Sequence, residues 1–240
     1  PRSDVRPRRT IWPRRTSRLP SRARLRIIGP PMATRAGILA HAIAVTARIS
    51  APTVFEALRG AKEDHEVFDR RLDGWSRDLV NAAHITTSVE GAEAVPDGEV
   101  VVMSNHASLY DIPILFQTIP KRLRMVAKTE LFRVPIWGRA MTVAGFVELD
   151  RGDRKRAMEA LYAARDRMHR EHISLWIAPE GTRSKTGVMG RFKQGGFHLA
   201  IDAGLPILPV TLVGTHSVLT KGTTDIKTGA EVRVVIHPAV

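Results

Sequence analysis

The stretch Glu99-Val100-Val101-Val102-Met103-Ser104-Asn105-His106-Ala107-Ser108-Leu109-Tyr110-Asp111 decides the fold. Its apolar, β-branched run over 99–103 is that of a fully buried strand, and the polar residues after Met103 end it in a turn. A helix over 109–118 then leaves the turn on Ile112, Ile114 and Leu115. The same strand-then-helix rhythm recurs downstream. Strands are predicted over 124–127, 145–149, 173–178, 207–213 and 232–236, with helices near 130–143, 153–170 and 195–203. In the clearest helix, Ala157, Leu161, Ala164 and Met168 share one side. This alternation predicts an α/β fold: a largely parallel mixed sheet flanked by helices, with chemistry just beyond the strand C-termini.

Upstream of Val89 the character changes. Residues 36–58 are rich in Ala, Ile, Val and Leu, but only twelve residues separate Arg35 from Arg48, and Pro52 interrupts the apolar run beyond Arg48. A simple span needs about 20 apolar residues. The segment therefore reads as a helix lying in or on a membrane interface, with a plain core helix as the alternative. A second helix over about 62–83 places Val67, Phe68, Leu72, Trp75, Leu79 and Val80 on one face. The expected organisation is a tail over 1–31, a membrane-facing helical pair over 32–84 and a catalytic domain over 85–240.

Charge needs the same regional reading. The 240 residues carry a net +13, but +9 of it lies in residues 1–31, where ten arginines and six prolines stand against Asp4. The 209 residues after Pro31 carry only +4. The tail has too little apolar surface to fold and reads as disordered, either upstream sequence or a passive appendage. Attraction to nucleic acid or anionic membrane is its alternative reading. No interleaved aromatics support a nucleic-acid binder, and none is expected as a partner. Zero cysteines exclude disulfides, thiolate nucleophiles and Cys-type metal sites. No serine-hydrolase elbow, Walker loop or dinucleotide fingerprint occurs. His169-x-x-His172 lacks a third ligand and reads as a solvated face, so no metal is expected.

Three strand ends carry reactive residues. At the first, His106 sits five residues before Asp111, a spacing that lets a carboxylate hold one ring nitrogen while the other acts as a general base. Ser108-x-x-Asp111 also fits a helix capping box, so both readings stand at this point. Strand 173–178 empties into Pro179-Glu180-Gly181-Thr182-Arg183, followed by Arg191, Phe192-Lys193 and Gly195-Gly196. Arginine and lysine beside open backbone suit a phosphate or other polyanion. Strand 145–149 ends in Asp150-Arg151, whose arginine is placed to share an anion or to pair with Asp150 or Asp153. Pro206 and Pro209 around the start of strand 207–213 read as an edge or lip feature.

Together and in this order, these segments resemble the glycerolipid acyltransferase family, specifically the 1-acyl-sn-glycerol-3-phosphate (lysophosphatidate) acyltransferases. The family's N-H-x-x-x-x-D block is matched by Asn105-His106 to Asp111, and its second block by Gly145 to Arg151. The F-P-E-G-T-R block is matched by Ala178 to Arg183, and the proline-rich fourth by Leu205 to Val210. The likeness covers about residues 62–238 and extends through Val89-Glu90-Gly91, Lys128-Thr129-Glu130-Leu131 and Phe192-Lys193-Gln194-Gly195. Ala178 stands where the family has an aromatic, and the chain stops at Val240 where members often continue.

The resemblance implies acyl transfer from acyl-CoA or acyl-carrier protein to the sn-2 hydroxyl of lysophosphatidate, giving phosphatidate, with no further cofactor. His106 would take the hydroxyl proton and Asp111 would orient the imidazole. Arg151, Glu180, Gly181, Thr182 and Arg183 would form the acceptor site. Lys193 and Lys128 would reach the donor's phosphates or an acidic carrier. Glu180 beside an anion needs an arginine to orient or a glycerol hydroxyl to bind. Partners are then the phospholipid bilayer, lysophosphatidate and the acyl donor, and the expected location is the cytoplasmic face of a membrane. Another lysolipid acceptor (a lysophospholipid or lyso-ornithine lipid) is the alternative within the class. A non-catalytic lipid-binding module is the alternative outside it.

Overall fold

The computed structural model describes residues 23–25, 35–60, 64–150 and 152–240. The strands are β1 (Ala23–Leu25), β2 (Thr86–Glu90), β3 (Val101–Ser104), β4 (Leu123–Lys128), β5 (Val147–Leu149), β6 (Ser174–Ile177), β7 (Ile207–Val213) and β8 (Glu231–Ile236). They form one mixed sheet in the order β1-β2-β8-β7-β3-β6-β4-β5. Strands β3 to β7 are mutually parallel; β8 runs antiparallel to β7, and β2 runs parallel to β8. The α/β fold with a largely parallel mixed sheet is thus the one its strand-helix rhythm predicts. All five parallel strands finish at one edge of the sheet, so the segments after residues 104, 128, 149, 177 and 213 converge there.

Helices α1 (Arg35–Leu58), α2 (His65–Ala82), α3 (Asp111–Thr118), α4 (Thr129–Phe132), α5 (Trp137–Val143), α6 (Arg154–Glu171), α7 (Gly195–Ala203) and α8 (Thr215–Val218) cover the sheet. On one side α1, α2 and α3 bury Ile38, Val45, Phe68, Leu72, Ile114 and Leu115 against the strands. On the other, Leu161, Ala164 and Met168 of α6 and Leu199 of α7 pack on Val101 and Leu175. Asp64 and Asp153 start α2 and α6 by accepting N–H groups of the first turn.

Four sequence expectations change. Helix α1 runs unbroken through Pro52, because a proline removes only the bond toward the Arg48 carbonyl and the helix is already anchored by α2. Arg71 of α2 holds Glu56 and Thr53, and Trp75 Nε1 donates to Thr46 Oγ1 at 2.9 Å. By length and composition alone α1 could cross a membrane. The helix expected over 130–143 breaks into α4 and α5, since Pro135 disfavours a helical residue before it and Ile136 takes a left-handed φ of 64°. Strand β7 is interior, not an edge. Pro209 is tolerated because it sits where the β7–β8 ladder ends, its carbonyl still accepting from His237 N at 3.0 Å. Finally, within the stretch read as a tail, Ala23–Leu25 pair antiparallel with Val89 to Thr87 of β2. Three backbone pairings need no apolar pattern. The rest of residues 1–31 lies outside the described residues.

Candidate active site

The site is assembled where β3, β6 and β7 finish. Just past β3, the Asn105 side chain stands in for a strand partner, donating to the Leu212 carbonyl at 2.9 Å and accepting from Leu212 N at 2.8 Å. This locks the turn onto β7 and aims His106 across the sheet edge. His106 Nδ1 lies 2.7 Å from Asp111 Oδ2. The same oxygen accepts from Ala107 N at 2.8 Å and Ser108 N at 2.9 Å. A carboxylate oxygen surrounded by donors is an acceptor only, so Nδ1 carries a proton, and in the neutral ring the lone pair lies on Nε2.

The side chain of Asp111 is fully buried, at 0% exposure. The His106 ring stands edge-on to Trp176, with centroids 5.3 Å apart, and Trp176 Nε1 is tied to Ser104 Oγ at 2.9 Å. The imidazole is therefore held on two sides. The capping-box reading holds in part: Asp111 accepts from Ser108 N, while Ser108 Oγ accepts from Tyr110 N at 3.3 Å and donates to the Leu219 carbonyl at 3.1 Å.

Past β6, the 178–193 segment wraps the His106 backbone. Glu180, buried, accepts from His106 N through Oε1 at 2.8 Å and from Gly190 N through Oε2 at 2.7 Å. Ser184 N donates to the His106 carbonyl at 2.7 Å. Gly181 has a φ of +70°, and a Cβ there would come 2.9 Å from Lys193 Cε, so the lysine stem lies directly over the glycine. Burial pushes the Arg183 guanidinium below its usual value, and the negative charge of Asp111 opposes that shift. The structure thus brings His106, Asp111, Glu180, Gly181, Thr182, Arg183 and Lys193 to one edge. Arg151 lies outside the described residues.

Lys221 joins the site without a sequence signal, and Arg133 lies farther along the same sheet edge. Lys221 Nζ donates to Thr182 Oγ1 at 2.7 Å and to the Arg183 carbonyl at 3.0 Å. It follows α8 in a loop with no motif, and its partner is 39 residues away. Arg133 lines a small cavity of about 320 Å³ at the ends of β4 and β5, together with Lys128, Thr129, Leu149, Asp150 and Gly152. By contrast, His169 bonds the Ala203 carbonyl and His172 bonds Glu99, so these two rings are engaged separately.

A protein-family model described as acyltransferase matches residues 86–213, which contain the whole His106-to-Lys193 arrangement. The chain belongs to the acyltransferase family. It is 37% identical over 152 residues to the chloroplastic 1-acyl-sn-glycerol-3-phosphate acyltransferase of Arabidopsis thaliana, covering 62% of this chain and 42% of that protein. Against the 1-acyl-sn-glycerol-3-phosphate acyltransferase of Haemophilus influenzae it is 34% identical over 117 residues, covering 49% of each. These matches span about half the length of the curated relatives or less. The crystal structure of the 1-acyl-sn-glycerophosphate acyltransferase from Thermotoga maritima superposes with a TM-score of 0.70 at 27% identity, over 85% of this chain and 83% of that one.

Proposed function

We propose that this acyltransferase moves a fatty acyl group from acyl-CoA or acyl-carrier protein to the sn-2 hydroxyl of 1-acyl-glycerol 3-phosphate, giving phosphatidate. The observation that carries the reading is the His106–Asp111 pair, whose Asp111 Oδ2 accepts from two backbone N–H groups and so fixes Nε2 as the free base. The names of the relatives support the acceptor. In the proposed step Nε2 takes the hydroxyl proton as the oxygen attacks the thioester carbonyl. The C–S bond then breaks, and the departing thiolate receives that proton from the imidazolium. Asp111 stabilises the imidazolium while it exists. No group on the enzyme is acylated.

Arg183, with Arg151 and Thr182, would bind the acceptor phosphate, and Gly181 lets the backbone approach it. Lys193 and Lys128 would meet the phosphates of the donor or an acidic carrier. Glu180, with one backbone N–H group on each oxygen, would brace the His106 turn against the 184–192 loop rather than meet the phosphate. The exposed apolar side of α1, with Leu39, Ile43, Phe55 and Leu58, would rest on the membrane. The cytoplasmic face belongs to the same proposal, since both donors are water-soluble thioesters of the cell interior.

The test is thioester consumption with lipid-product analysis, comparing wild type with His106→Ala on acyl-CoA and lysophosphatidate. Phosphatidate formation that falls by about 10²-fold or more in the variant supports the reading. His106-dependent acylation of a different lysolipid, with none of lysophosphatidate, would keep the mechanism and replace the acceptor.

A further inference from the structure

The loop over 184–192, between β6 and α7, is closed by its own hydrogen bonds. Ser184 Oγ donates to the Val188 carbonyl at 2.7 Å, Thr186 N to Ser184 Oγ at 3.3 Å, and Val188 N to Thr186 Oγ1 at 3.3 Å. Gly187 turns the chain at a φ of +82°, against the His216 ring. An ordered loop of this kind could turn apolar side chains inward, but it holds Val188 72%, Met189 53% and Phe192 46% exposed. The Phe192 ring is stacked on Phe197, centroids 6.3 Å apart, which fixes its direction. Neighbouring large apolar side chains held in water at a loop tip mark an interaction surface.

Charge identifies the occupant. Between Gly181 and Ile201 the chain has Arg183, Lys185, Arg191 and Lys193 and no acidic residue. Lys185 and Arg191 flank the apolar tip and are exposed. Apolar side chains ringed by cations complement a bilayer interface carrying anionic headgroups. The loop is also joined to the reacting histidine, through Ser184 N on the His106 carbonyl and Gly190 N on Glu180.

We propose that the tip of this loop is a second membrane contact, separate from α1. It inserts Val188, Met189 and Phe192 into an anionic lipid surface, with Lys185 and Arg191 among the headgroups. A lipid acceptor then moves from the bilayer to His106 without crossing bulk water. That last consequence rests on the proposed function; the insertion itself does not.

The chain has no cysteine, so Met189→Cys carrying an environment-sensitive fluorophore reports on one position alone. Glu159→Cys, exposed on α6, is the control. On vesicles of phosphatidylcholine and phosphatidylglycerol, the label at 189 shifts to the blue and is quenched by spin-labelled lipid, while the label at 159 is unchanged. The shift weakens in salt near 1 M, where the screening length falls to about 3 Å. The variant V188S/M189S loses about tenfold or more of its activity on vesicle-embedded lysophosphatidate and keeps activity within about twofold on a monomeric short-chain acceptor.

Three results overturn the proposal: a label at 189 that stays in water on vesicles shown by sedimentation to carry the protein, failure to bind such vesicles, or shielding in lipid-free solution at high protein concentration. The last assigns the patch to a second copy of the chain. Insertion at 189 in a protein that acylates no lysolipid overturns the proposed function and leaves the membrane contact standing.

Discussion

The two ends of the parallel strands treat charge in opposite ways. Where the strands begin, a cavity of about 750 Å³ opens between α2 and the starts of β4 and β6, more than twice the volume of the 320 Å³ one at the other end. Its side chains engage one another: Asp69 holds both Arg122 at 3.0 Å and Arg124 at 2.7 Å, Glu99 holds His172 at 2.7 Å, and Lys121 donates to the Pro96 and Gly98 carbonyls. Where the strands finish, the carboxylates of Asp111 and Glu180 accept instead from an imidazole and from backbone N–H groups. Among the described residues no carboxylate lies within ion-pairing distance of Arg183, Lys193 or Lys128. Ion pairs hold α2 to the sheet at one end; at the other, Arg183 feels the charge of Asp111 and Lys128 shares its cavity with Glu130 and Asp150, with none of these contacts an ion pair.

The largest effect expected from this contrast is Asp111→Asn. The amide oxygen takes the place of Oδ2, toward which the ring, Ala107 N and Ser108 N all point, and the amide nitrogen takes that of Oδ1, which has no hydrogen-bond partner; the tautomer is kept, but the negative charge that stabilises the imidazolium is lost. By analogy with the serine-protease triad, kcat should fall by about 10²–10⁴-fold with KM little changed, measured by steady-state kinetics. Arg124→Met, at the opposite end, should do the reverse. It strips Asp69 of a fully buried partner and leaves the Ala144 carbonyl without its guanidinium donor, a loss of about 3 kcal/mol. Thermal melting should fall by roughly 6–12 °C, with activity per folded molecule intact. A kinetic defect in Arg124→Met at full folding would break the division between the two ends.

Glu180→Gln tests whether a carboxylate at the working end is a brace or a ligand. A glutamine presents one NH₂ to an N–H donor, either His106 N or Gly190 N, so one of the two bonds is lost. The expected outcome is about a 10-fold fall in kcat and about 1–3 kcal/mol in stability. KM for the acceptor should move less than about threefold if Glu180 is a brace. A selective rise in KM would make it a ligand after all.

How much of the molecule is legible in its sequence depends on the distance over which each contact acts. His106 and Asp111 are five residues apart within one turn, so their chemistry is readable locally, as is the glycine that the turn at 181 requires. Asn105 is visible as part of the motif, but its task is not, since its partner Leu212 lies 107 positions on. Lys221 is invisible for the same reason. Strand β2 was hidden because Thr86-Thr87-Ser88 has no apolar alternation of its own; its strand state comes from pairing with β8 on one side and β1 on the other. Pro135 announced a break that the apolar pattern of 130–143 obscured, while Pro52 announced one that packing against α2 overrides.

Arg183→Lys and Arg183→Met sharpen the contrast further. Both should raise KM for the acceptor, Met by about tenfold or more and Lys by less, since an ammonium keeps the charge but not the two-pronged geometry. A matching Arg122→Met at the paired end should leave KM unchanged. Equal effects from the two arginines would show that the free-cation criterion does not pick out the acceptor site.

The smallest expected effect is a pH dependence at the paired end. His65, at the start of α2, has its Nε2 3.4 Å from Glu171 and its Nδ1 buried without a partner among the described residues. Burial pushes its pKa below the ordinary 6.5; Arg122, Arg124 and Arg167 push the same way, and Glu171 opposes them. The folded protein therefore binds fewer protons there than the unfolded chain. The stability this contributes is present above pH 6.5 and is lost as the pH falls below it. Melting temperature in wild type should decline on acidification from pH 6.5, and His65→Phe, which keeps a ring against Phe68, should flatten that limb. Activity at fixed folded fraction should be the same in both, because the charges around His65 serve the fold and meet no substrate.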